Sequence, residues 1–292
     1  MANSIEYAKK FVPVIDEIYK AGSITEGMDA SVKLDYSEVN EVKILKVATS
    51  GLGDYSRENG YPTGDVTAAW ETMKLEIERG KEISIDRMDN EEALGLVFGE
   101  VVGGFMREHV IPEIDAYRFA KYAGAAGTTK VSAALTAETV IAAFDEAVRV
   151  FDENEVGTES RLLCINSDIK PLVNNALSRK YGSDSAVNTV LRQYNDIPIV
   201  YVPKKRFMTK VTLNSGASSW GYTNPSDAEA INFMLLDRRA VQQAKKFILP
   251  KIFTPDENQD KDAWKFQFRL YHDCFIFENK AKGIYVHTKP NA

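Results

Sequence analysis

Residues 70–86 alternate apolar and charged side chains over most of their length. Met73, Leu75 and Ile77 are separated from one another by charged residues. This period of two predicts a β-strand with one packed face and one face in water. Gly80 interrupts the alternation, which resumes after it. The pattern therefore predicts a charged strand, or arm, that leads directly into the next element.

A long helix is predicted after this arm. Asp89 or Asn90 can cap its N-terminus, and helical spacing continues to residue 122. The apolar positions that show this spacing are Leu94, Val97, Val101, Phe105, Ile111, Ile114 and Phe119. Pro112 lacks an amide hydrogen and clashes with the preceding turn, so we expect a kink or break near residues 109–111.

The N-terminal part of the chain predicts a helix, a strand and an exposed hairpin. Residues 3–21 have the pattern of an amphipathic helix, and residues 30–45 are extended chain leading into a strand at 42–47. The polar, turn-rich stretch 51–65 is then the tip of a long hairpin. An isolated two-stranded hairpin is only marginally stable in water, so we expect it to lie on a neighbouring molecule.

Beyond residue 124 the pattern predicts a compact α/β lobe that is followed by two long closing strands. The predicted elements are a hinge at 124–129, helices at 136–152 and 167–180, strands at 161–166, 197–202 and 231–236, a loop at 207–227, strands at 246–253 and 264–277, and a last segment at 283–287. An acidic turn joins the two closing strands.

The composition is that of an ordinary soluble protein, and it narrows the function. The chain has 292 residues, which is enough for two domains or for one core with an appendage. Of these residues, 44% are hydrophobic and 27% are charged. The formal net charge of −6 argues against a tight, sequence-independent nucleic-acid binder. We expect any nucleic acid nearby to be enclosed or excluded and not gripped. The chain lacks a signal-peptide pattern at its start and an apolar run that spans a bilayer, which predicts a cytoplasmic protein or a particle assembled there.

The sequence contains no recognisable catalytic or cofactor motif. His109, His272 and His287 are far apart and lack metal-ligand spacing. Glycine motifs for phosphate or dinucleotides and a serine nucleophile elbow are also absent. Strand alternation places His272 and Cys274 on one face and Asp273 on the other, which favours a packed strand over a nucleophile with its base. We therefore predict no catalytic residue, no cofactor and no metal ion.

The acidic turn resembles a calcium loop only in part. Asp256, Asn258 and Asp260 match the first three ligand positions of an EF-hand. Lys261 stands where the loop needs glycine, and Gln267 stands where it needs a bidentate glutamate. A solvated connection between strands is the favoured interpretation.

The cysteines and the basic clusters have structural interpretations. Cys164 and Cys274 lie in apolar strand-like runs, which predicts buried thiols in a reducing compartment and leaves a disulfide open. The clusters at 204–206, 238–239 and 245–246 lack the interleaved aromatic residues that stack bases. They are predicted to be solvated turns or partners of acidic neighbours, and a weak role toward packaged nucleic acid or an acidic subunit stays open.

Three sequence runs and the order of the elements carry a family resemblance. The runs are Arg-Gly-Lys-Glu-Ile-Ser-Ile-Asp at 79–86, Phe-Arg-Leu-Tyr-His-Asp-Cys-Phe at 268–275 and Asn-Lys-Ala-Lys-Gly-Ile-Tyr at 279–285. With an N-terminal arm, a charged hairpin, a long helix, an α/β lobe and two closing strands, they resemble the major capsid protein of tailed bacteriophages. The resemblance covers nearly the whole chain and implies an α+β fold, the Hong Kong phage capsid fold shared with herpesvirus shells.

The resemblance also implies a division of the chain. The implied parts are an N-terminal arm with the first strand at 1–47, an extended hairpin loop at 48–88, the spine helix of a peripheral domain at 89–123, an axial domain at 124–245, and closing strands that return from the peripheral to the axial domain at 246–292. Residues 48–86 of the extended loop are implied to lie across an adjacent subunit. The acidic turn is implied to lie near local threefold contacts.

Charged and polar residues of the arm, the hairpin and the acidic turn are the implied intersubunit contacts. They are Arg57, Glu78, Arg79, Lys81, Asp86, Arg87, Asp256, Asn258 and Asp260. Each exposed ion pair contributes only about 0–1 kcal/mol, but a closed shell repeats it at every contact. Some family members cross-link a lysine to an asparagine. Lys81 and Asn258 are the right residue types, but noncovalent assembly is favoured.

The function implied by the resemblance is structural and not enzymatic. The chain is expected to self-assemble into an icosahedral shell, with identical subunits in pentamers and hexamers, that encloses phage double-stranded DNA without sequence-specific contact. Nothing resembles the N-terminal scaffolding segment of some members, so a separate scaffolding protein is implied, with a portal, a possible decoration protein and no membrane. The protein is expected in the virion, assembled in the host bacterial cytoplasm.

Two alternatives remain from the sequence. Encapsulin nanocompartments use the same architecture around cargo enzymes, although residues 1–20 do not resemble the encapsulin cargo-binding helix. A cytosolic α/β enzyme whose polar residues converge only in space is the alternative of a different class. Such an enzyme needs a deep pocket that contains perturbed carboxylates.

Overall fold

The computed structural model describes residues 22–30, 35–38, 41–58, 60–61, 63–88, 97–180 and 191–290. The helix predicted at 3–21 and the N-cap predicted at Asp89 or Asn90 lie outside these residues. No helix in the described parts of the chain is long and apolar enough to cross a membrane.

The first sheet is the predicted hairpin. Strands β1 (Asp35–Glu38), β2 (Glu41–Thr49) and β3 (Val66–Lys74) pair in that order, each antiparallel to the next. The β2–β3 register runs from the pair Glu41 and Lys74 to the pair Thr49 and Val66. Among the described residues of the intervening stretch, Ser56 and Gly60 form an isolated bridge. The hairpin and its turn-rich end are confirmed.

The arm predicted over residues 70–86 is divided between two sheets. Its second half forms β4 (Ile77–Asp86), which is the edge of a sheet with the order β12–β13–β4. The other two strands are β12 (Val241–Phe253) and β13 (Ala263–Ile276). The break falls at Leu75 and Glu76, because side chains of β13 bind their backbone groups: the Tyr271 hydroxyl donates to the Leu75 carbonyl, and the Asp273 carboxylate accepts from the Glu76 amide.

The spine helix changes its helical geometry close to the predicted kink or break, but it stays helical throughout residues 97–124. Helix α1 (Val97–Phe105) continues through a π-helical turn, Met106–Val110, into helix α2 (Ile111–Gly124). Pro112 lies in the first turn of α2. Because the preceding residues are also helical, Pro112 removes one backbone hydrogen bond from this continuous helix and crowds the turn before it. The π-helical turn inserts an extra residue just before it.

The spine helix packs on the three-stranded sheet. Met106 and Ile114, on the helical side, contact Phe266 and Leu270 of β13, and all four are fully or nearly fully buried. Each such side chain contributes about 1.5–3 kcal/mol through burial. The helix and sheet therefore form one structural unit.

The α/β lobe is built on a six-stranded mixed sheet with the order β5–β14–β11–β6–β8–β7. Its strands are β5 (Thr129–Ser132), β6 (Arg161–Asn166), β7 (Gln193–Tyr194), β8 (Ile197–Val202), β11 (Ile231–Asp237) and β14 (Ile284–Thr288). Its helices are α3 (Val140–Glu153) and α4 (Lys170–Lys180). A small hairpin pairs β9 (Thr212–Leu213) with β10 (Tyr222–Thr223) within the stretch predicted to be a loop.

Both faces of this sheet are covered, which explains its apolar strands. Leu162 of β6 packs in a cluster with Phe119 and Tyr122 of α2, whereas Leu163 packs with Phe144 of α3 on the opposite side. Helix α2 therefore belongs to the core of the lobe and also to the core of the three-stranded sheet. One continuous element connects the two parts of the molecule.

The sequence pattern missed the short strands of the lobe, β5, β7, β9 and β10. The hinge predicted at 124–129 is followed by β5, which pairs parallel with β14 from Thr129 with Tyr285 to Ser132 with Thr288. β5 is short and mostly exposed, so it lacks the apolar run by which the other strands were recognised. Partners far away in the sequence determine its conformation.

Candidate intersubunit surface

Arg79 connects three parts of the chain on one edge of β4. Its Nε and Nη2 donate to the Glu113 carboxylate of α2 at 2.6 and 3.2 Å. Its Nη1 and Nη2 also donate to the carbonyls of Asn214 and Gly221, at 2.7 and 3.3 Å, which flank an exposed loop of the lobe. This bidentate, charge-assisted arrangement is the strong form of an ion pair. Arg79 therefore fixes the lobe loop against the spine helix.

An apolar cavity of about 300 Å³ opens beside Arg79. Phe105, Ile114 and Phe268 line it from the helix and the sheet, and Trp220 lines it from the lobe loop. The Lys81 ammonium lies 5.4 Å from the Phe105 ring and 5.2 Å from the Trp220 ring. These are cation–π distances. Lys81 forms no ion pair with any described residue.

The cavity lacks the free carboxylate that a hydrolytic or acid–base enzyme would need. Glu113 is its acidic residue, and both of its oxygens accept hydrogen bonds from Arg79. His109 also lines the cavity without a carboxylate partner that could orient it. Across the described parts of the chain, no group of three or more His, Cys, Asp or Glu residues could hold a metal ion.

The outer face of β4 carries exposed charge pairs with β13. Glu78 forms an ion pair with Arg269, and Glu82 accepts a hydrogen bond from Gln267 at 2.7 Å. Lys265 lies 3.8 Å from Glu82. The alternation seen in the sequence thus divides β4 into this charged face and an inner face that contains Arg79.

The acidic turn and the end of β4 meet. Arg87 lies 3.2 Å from Asp256 and 3.7 Å from Asp262. Asn258 donates to the carbonyl of Ala263 at 2.9 Å, which closes the turn onto its own strand. Such exposed pairs contribute little to stability.

The other two predicted contact residues in this region also have local partners. Asp86 accepts a hydrogen bond from the Met88 amide at 2.9 Å. Lys265 lies 2.6 Å from Asp260 and lowers the pKa of the Asp260 carboxyl by hydrogen bonding. The structure thus places five of the predicted contact residues around the turn: Asp86, Arg87, Asp256, Asn258 and Asp260.

The end of the hairpin is an exposed apolar surface. We call residues 50–58, 60–61 and 63–65 the hairpin tip. Leu52 is 107% exposed and Tyr61 87% exposed, and the Tyr61 ring lies 5.0 Å from that of Tyr55. Arg57 is exposed among them. Of the predicted contact residues, Arg57 alone lies on the hairpin tip, and the others lie on β4 or near the acidic turn.

A buried polar network lies behind the cavity. Asp273 is fully buried, accepts from the Tyr117 hydroxyl at 2.9 Å and forms an ion pair with Lys121. Burial, and then the negative charge of Asp273, raise the pKa of the Tyr117 hydroxyl. His272 is also buried, and neither of its ring nitrogens has a hydrogen-bond partner among the described residues. Burial and the nearby cations lower the pKa of His272 to about 3.

The basic clusters are partners of acidic neighbours, as the sequence predicted. The pairs are Lys204 with Asp168, Arg206 with Asp115, Arg239 with Glu159, and Lys245 with Glu26. Cys164 and Cys274 are buried and free, so the disulfide left open by the sequence does not form.

Sequence reasoning missed the partners of the predicted residues. Phe105 and Glu113 of the spine helix and Trp220 of the lobe loop complete the surface, and the alternation within β4 does not indicate which residues of other elements it contacts. The sequence carried one local indication of this surface, a tryptophan in a Gly/Ser-rich loop. The intersubunit role of the predicted residues stays a prediction, because each contact described above is made within one chain.

The comparisons with solved structures identify the fold. The capsid structure of cyanophage P-SCSP1u matches with a TM-score of 0.65 and 15% identity, over 92% of this chain and 89% of that chain. The asymmetric unit of the bacteriophage PhiM1 mature capsid matches with a TM-score of 0.63 and 12% identity, over 92% and 88%. The virus-like particle from Pyrococcus furiosus matches with a TM-score of 0.57 and 10% identity, over 97% and 99%.

The chain has the fold of phage capsid subunits, and the predicted Hong Kong phage capsid fold is confirmed. No family model and no curated protein matches the chain by sequence.

Proposed function

We propose that this chain is the major capsid protein of a tailed bacteriophage. The observation that supports the proposal is the likeness of fold over about nine-tenths of the chain to two phage capsid structures. A fold can serve several functions, so surface features must also agree. They do, because the molecule extends an apolar hairpin tip that nothing in its own described structure covers.

The proposed role is structural and non-enzymatic. Identical subunits assemble, in pentamers and hexamers, into an icosahedral shell that forms part of the virion. The shell encloses double-stranded DNA without gripping it, which suits a chain with a net charge of −6. A separate scaffolding protein, a portal and a decoration protein, with assembly in the bacterial cytoplasm, complete the proposal.

The segments have proposed places in the shell. The hairpin, residues 41–74, extends over a neighbouring subunit. The spine helix and the three-stranded sheet form the peripheral domain, and the six-stranded lobe forms the axial domain near the five- and sixfold positions. Strand β4 pairs within its own chain along its whole length, so we place it in the peripheral domain and not in the extended loop. Its charged outer face and the acidic turn are the proposed sites of contact between capsomers.

The test is assembly. The chain is expressed alone and with a candidate scaffolding protein, and the high-mass fraction is imaged by negative-stain electron microscopy. Uniform shells, tubes or capsomer rings are the expected result. A folded small oligomer that never assembles under either condition would contradict the proposal.

A nanocompartment shell is the second candidate, favoured by the match to the virus-like particle over 97% of this chain. Particle content separates the two. Nuclease-protected DNA in particles purified from infected or induced cells supports a phage head, whereas a single cargo protein and no DNA support a nanocompartment.

A further inference from the structure

We propose that the cavity beside Arg79 binds a small aromatic carboxylate. The aromatic body, the size of two fused rings, lies in the cavity, and the carboxylate lies against the Lys81 ammonium. Every wall of the cavity belongs to one folded chain, so the inference goes beyond the proposed function and does not depend on assembly.

The cavity suits an apolar, planar body. Phe105, Val110 and Ile114 of the spine helix form one side, and Phe268 of β13 and Trp220 of the lobe loop form others. Its volume of about 300 Å³ is roughly twice that of an engineered cavity that binds benzene. Small-molecule sites are mostly apolar and contain a few polar groups, which fix the orientation of the ligand. Two fused aromatic rings therefore match the space and its lining.

The tryptophan wall is held in position although it is exposed. Trp220 is 67% exposed. Gly216, with a φ of 87°, lies against its ring: a Cβ at this position would lie 2.9 Å from the indole. The Gly216 amide donates to the Ser219 carbonyl at 3.1 Å, and the Asn214 side-chain amide donates to the Trp220 carbonyl at 3.3 Å. The loop therefore fixes the indole at the rim of the cavity, where an aromatic ligand can stack on it.

Lys81 is the cation available to the carboxylate. The Arg79 guanidinium lies at the same cavity, but it already donates to Glu113 and to two backbone carbonyls. Lys81 contacts the rings of Phe105 and Trp220 and forms no ion pair with any described residue. A carboxylate bound there gains a charge-assisted hydrogen bond without breaking an existing ion pair.

A second cavity gives the ligand its direction. Lys81 and Trp220 also line a groove of about 580 Å³, which contains Lys251. The glutamates of this groove, Glu78 and Glu82, already have partners on β13. Lys251 forms no ion pair with any described residue. Lys81 stands where the polar groove meets the apolar cavity, so the carboxylate points to the groove and the rings point inward.

Calorimetry with two matched probes tests the site. Naphthoate carries the proposed carboxylate, and naphthamide has the same rings and a neutral head. Isothermal titration into the full-length chain, kept as unassembled subunits, should give naphthoate a dissociation constant on the order of 10–100 µM. Naphthamide should bind about tenfold more weakly, because it forms no charged contact with Lys81. Naphthoate should also raise the unfolding temperature, since it binds only the folded chain.

Three variants identify the groups that bind. Lys81→Met keeps the length of the side chain and removes its charge, so it should weaken naphthoate about tenfold and leave naphthamide unchanged. Trp220→Ala removes one wall and should weaken both probes about tenfold. The matched control is Lys280→Met. Lys280 also lies 5.4 Å from an aromatic ring, that of Phe277, but outside the cavity, so neither affinity should change. Circular dichroism confirms that each variant is folded.

The outcomes are distinct from those of the assembly test. No binding of naphthoate at millimolar concentration overturns the site, and equal affinities for the two probes overturn the role of the carboxylate. Unchanged naphthoate affinity in Lys81→Met or in Trp220→Ala, or an equal loss in Lys280→Met, places binding elsewhere and also overturns the inference. Selective loss of naphthoate affinity in Lys81→Met, with loss of both affinities in Trp220→Ala, establishes it. None of these results bears on whether the chain forms shells.

Discussion

Arg79 shows how one side chain can determine the relation between distant elements. The sequence identified it as an exposed charge on a strand, but it is half-buried and donates to α2 and to two carbonyls of the lobe loop. No spacing rule predicts this, because Glu113 and Gly221 lie far from it along the chain. Strand alternation predicted only which face of β4 it occupies.

Replacing Arg79 should destabilise the chain more than replacing an exposed arginine. Arg79→Ala leaves the largely buried Glu113 carboxylate and two carbonyls without a donor, and we expect a loss of about 2–3 kcal/mol, discounted for partial exposure. The measurement is thermal or urea unfolding. The matched control is Arg149→Ala, which removes exposed pairs with Glu146 and Glu153 and should cost much less. Equal losses for both variants would contradict the role of Arg79 in fixing the lobe loop against the spine helix.

His272 should make the fold sensitive to acid. Its pKa is about 3 in the folded chain and 6.5 without the fold, so between these values only the unfolded state binds the proton. The contribution of His272 to stability is therefore fully present above pH 6.5 and falls by about 1.4 kcal/mol per pH unit down to pH 3. The charged groups that oppose protonation are Arg118 and Lys121 of α2 and Arg79 of β4.

The test is the free energy of unfolding across pH 3–6.5. His272→Gln removes this titration, so its stability should depend on pH less steeply, by one proton, over that range. Carboxylates elsewhere contribute to both proteins and cancel in the difference. Identical slopes for the variant and the wild-type chain would rule out His272 as the cause.

At the scale of elements, the predictions from hydrophobic periodicity and from the position of proline were the reliable ones. The strand at 161–166 was found where the pattern placed it, and a π-helical turn at 106–110 lies close to the kink or break predicted near Pro112. The division of the arm at Leu75 and Glu76 was missed, because it depends on side chains of β13 and not on Gly80. Gly80 instead lies in mid-strand, where it allows β13 to approach closely.

Two glycine substitutions should therefore act in opposite directions. A Cβ at Gly80 would lie 3.0 Å from the Phe268 carbonyl, so Gly80→Ala must displace β4 and should cost about 1 kcal/mol. A Cβ at Gly104, in α1, would meet nothing within 4 Å, so Gly104→Ala should stabilise the helix by about 0.5–1 kcal/mol. Thermal unfolding of both variants measures the difference. Stabilisation by both would show that β4 has room for the methyl group.

At the scale of the whole molecule, the order of elements was more informative than any motif. The capsid neighbours share only 12–15% of residues, so the fold is maintained by pattern and packing and not by identities. The sequence predicted the fold and the residue types of the candidate surface. It could not predict the cavity, which depends on α1, β4, β13 and the lobe loop coming together in space.

Shortening the hairpin should separate folding from assembly. Replacing residues 51–64 by a two-residue turn removes a stretch whose described residues are mostly exposed in the single chain, so the unfolding temperature of the body should not change. Particle formation should be lost, because the neighbouring copy loses what covers it. Calorimetry and electron microscopy on the same preparations measure the two properties. Normal particles from the shortened chain would show that the hairpin is dispensable.

The burial of the two thiols has a consequence for resistance to oxidation outside a cell. Burial raises the pKa of both Cys164 and Cys274 to about 12, and neither is exposed. The thiolate is the form that reacts with oxidants, so folded subunits offer air and metals almost none of it. A particle built from this chain could pass from a reducing cytoplasm into aerated water and back with both cysteines still in the thiol form. Its durability would then depend on noncovalent contacts in both environments.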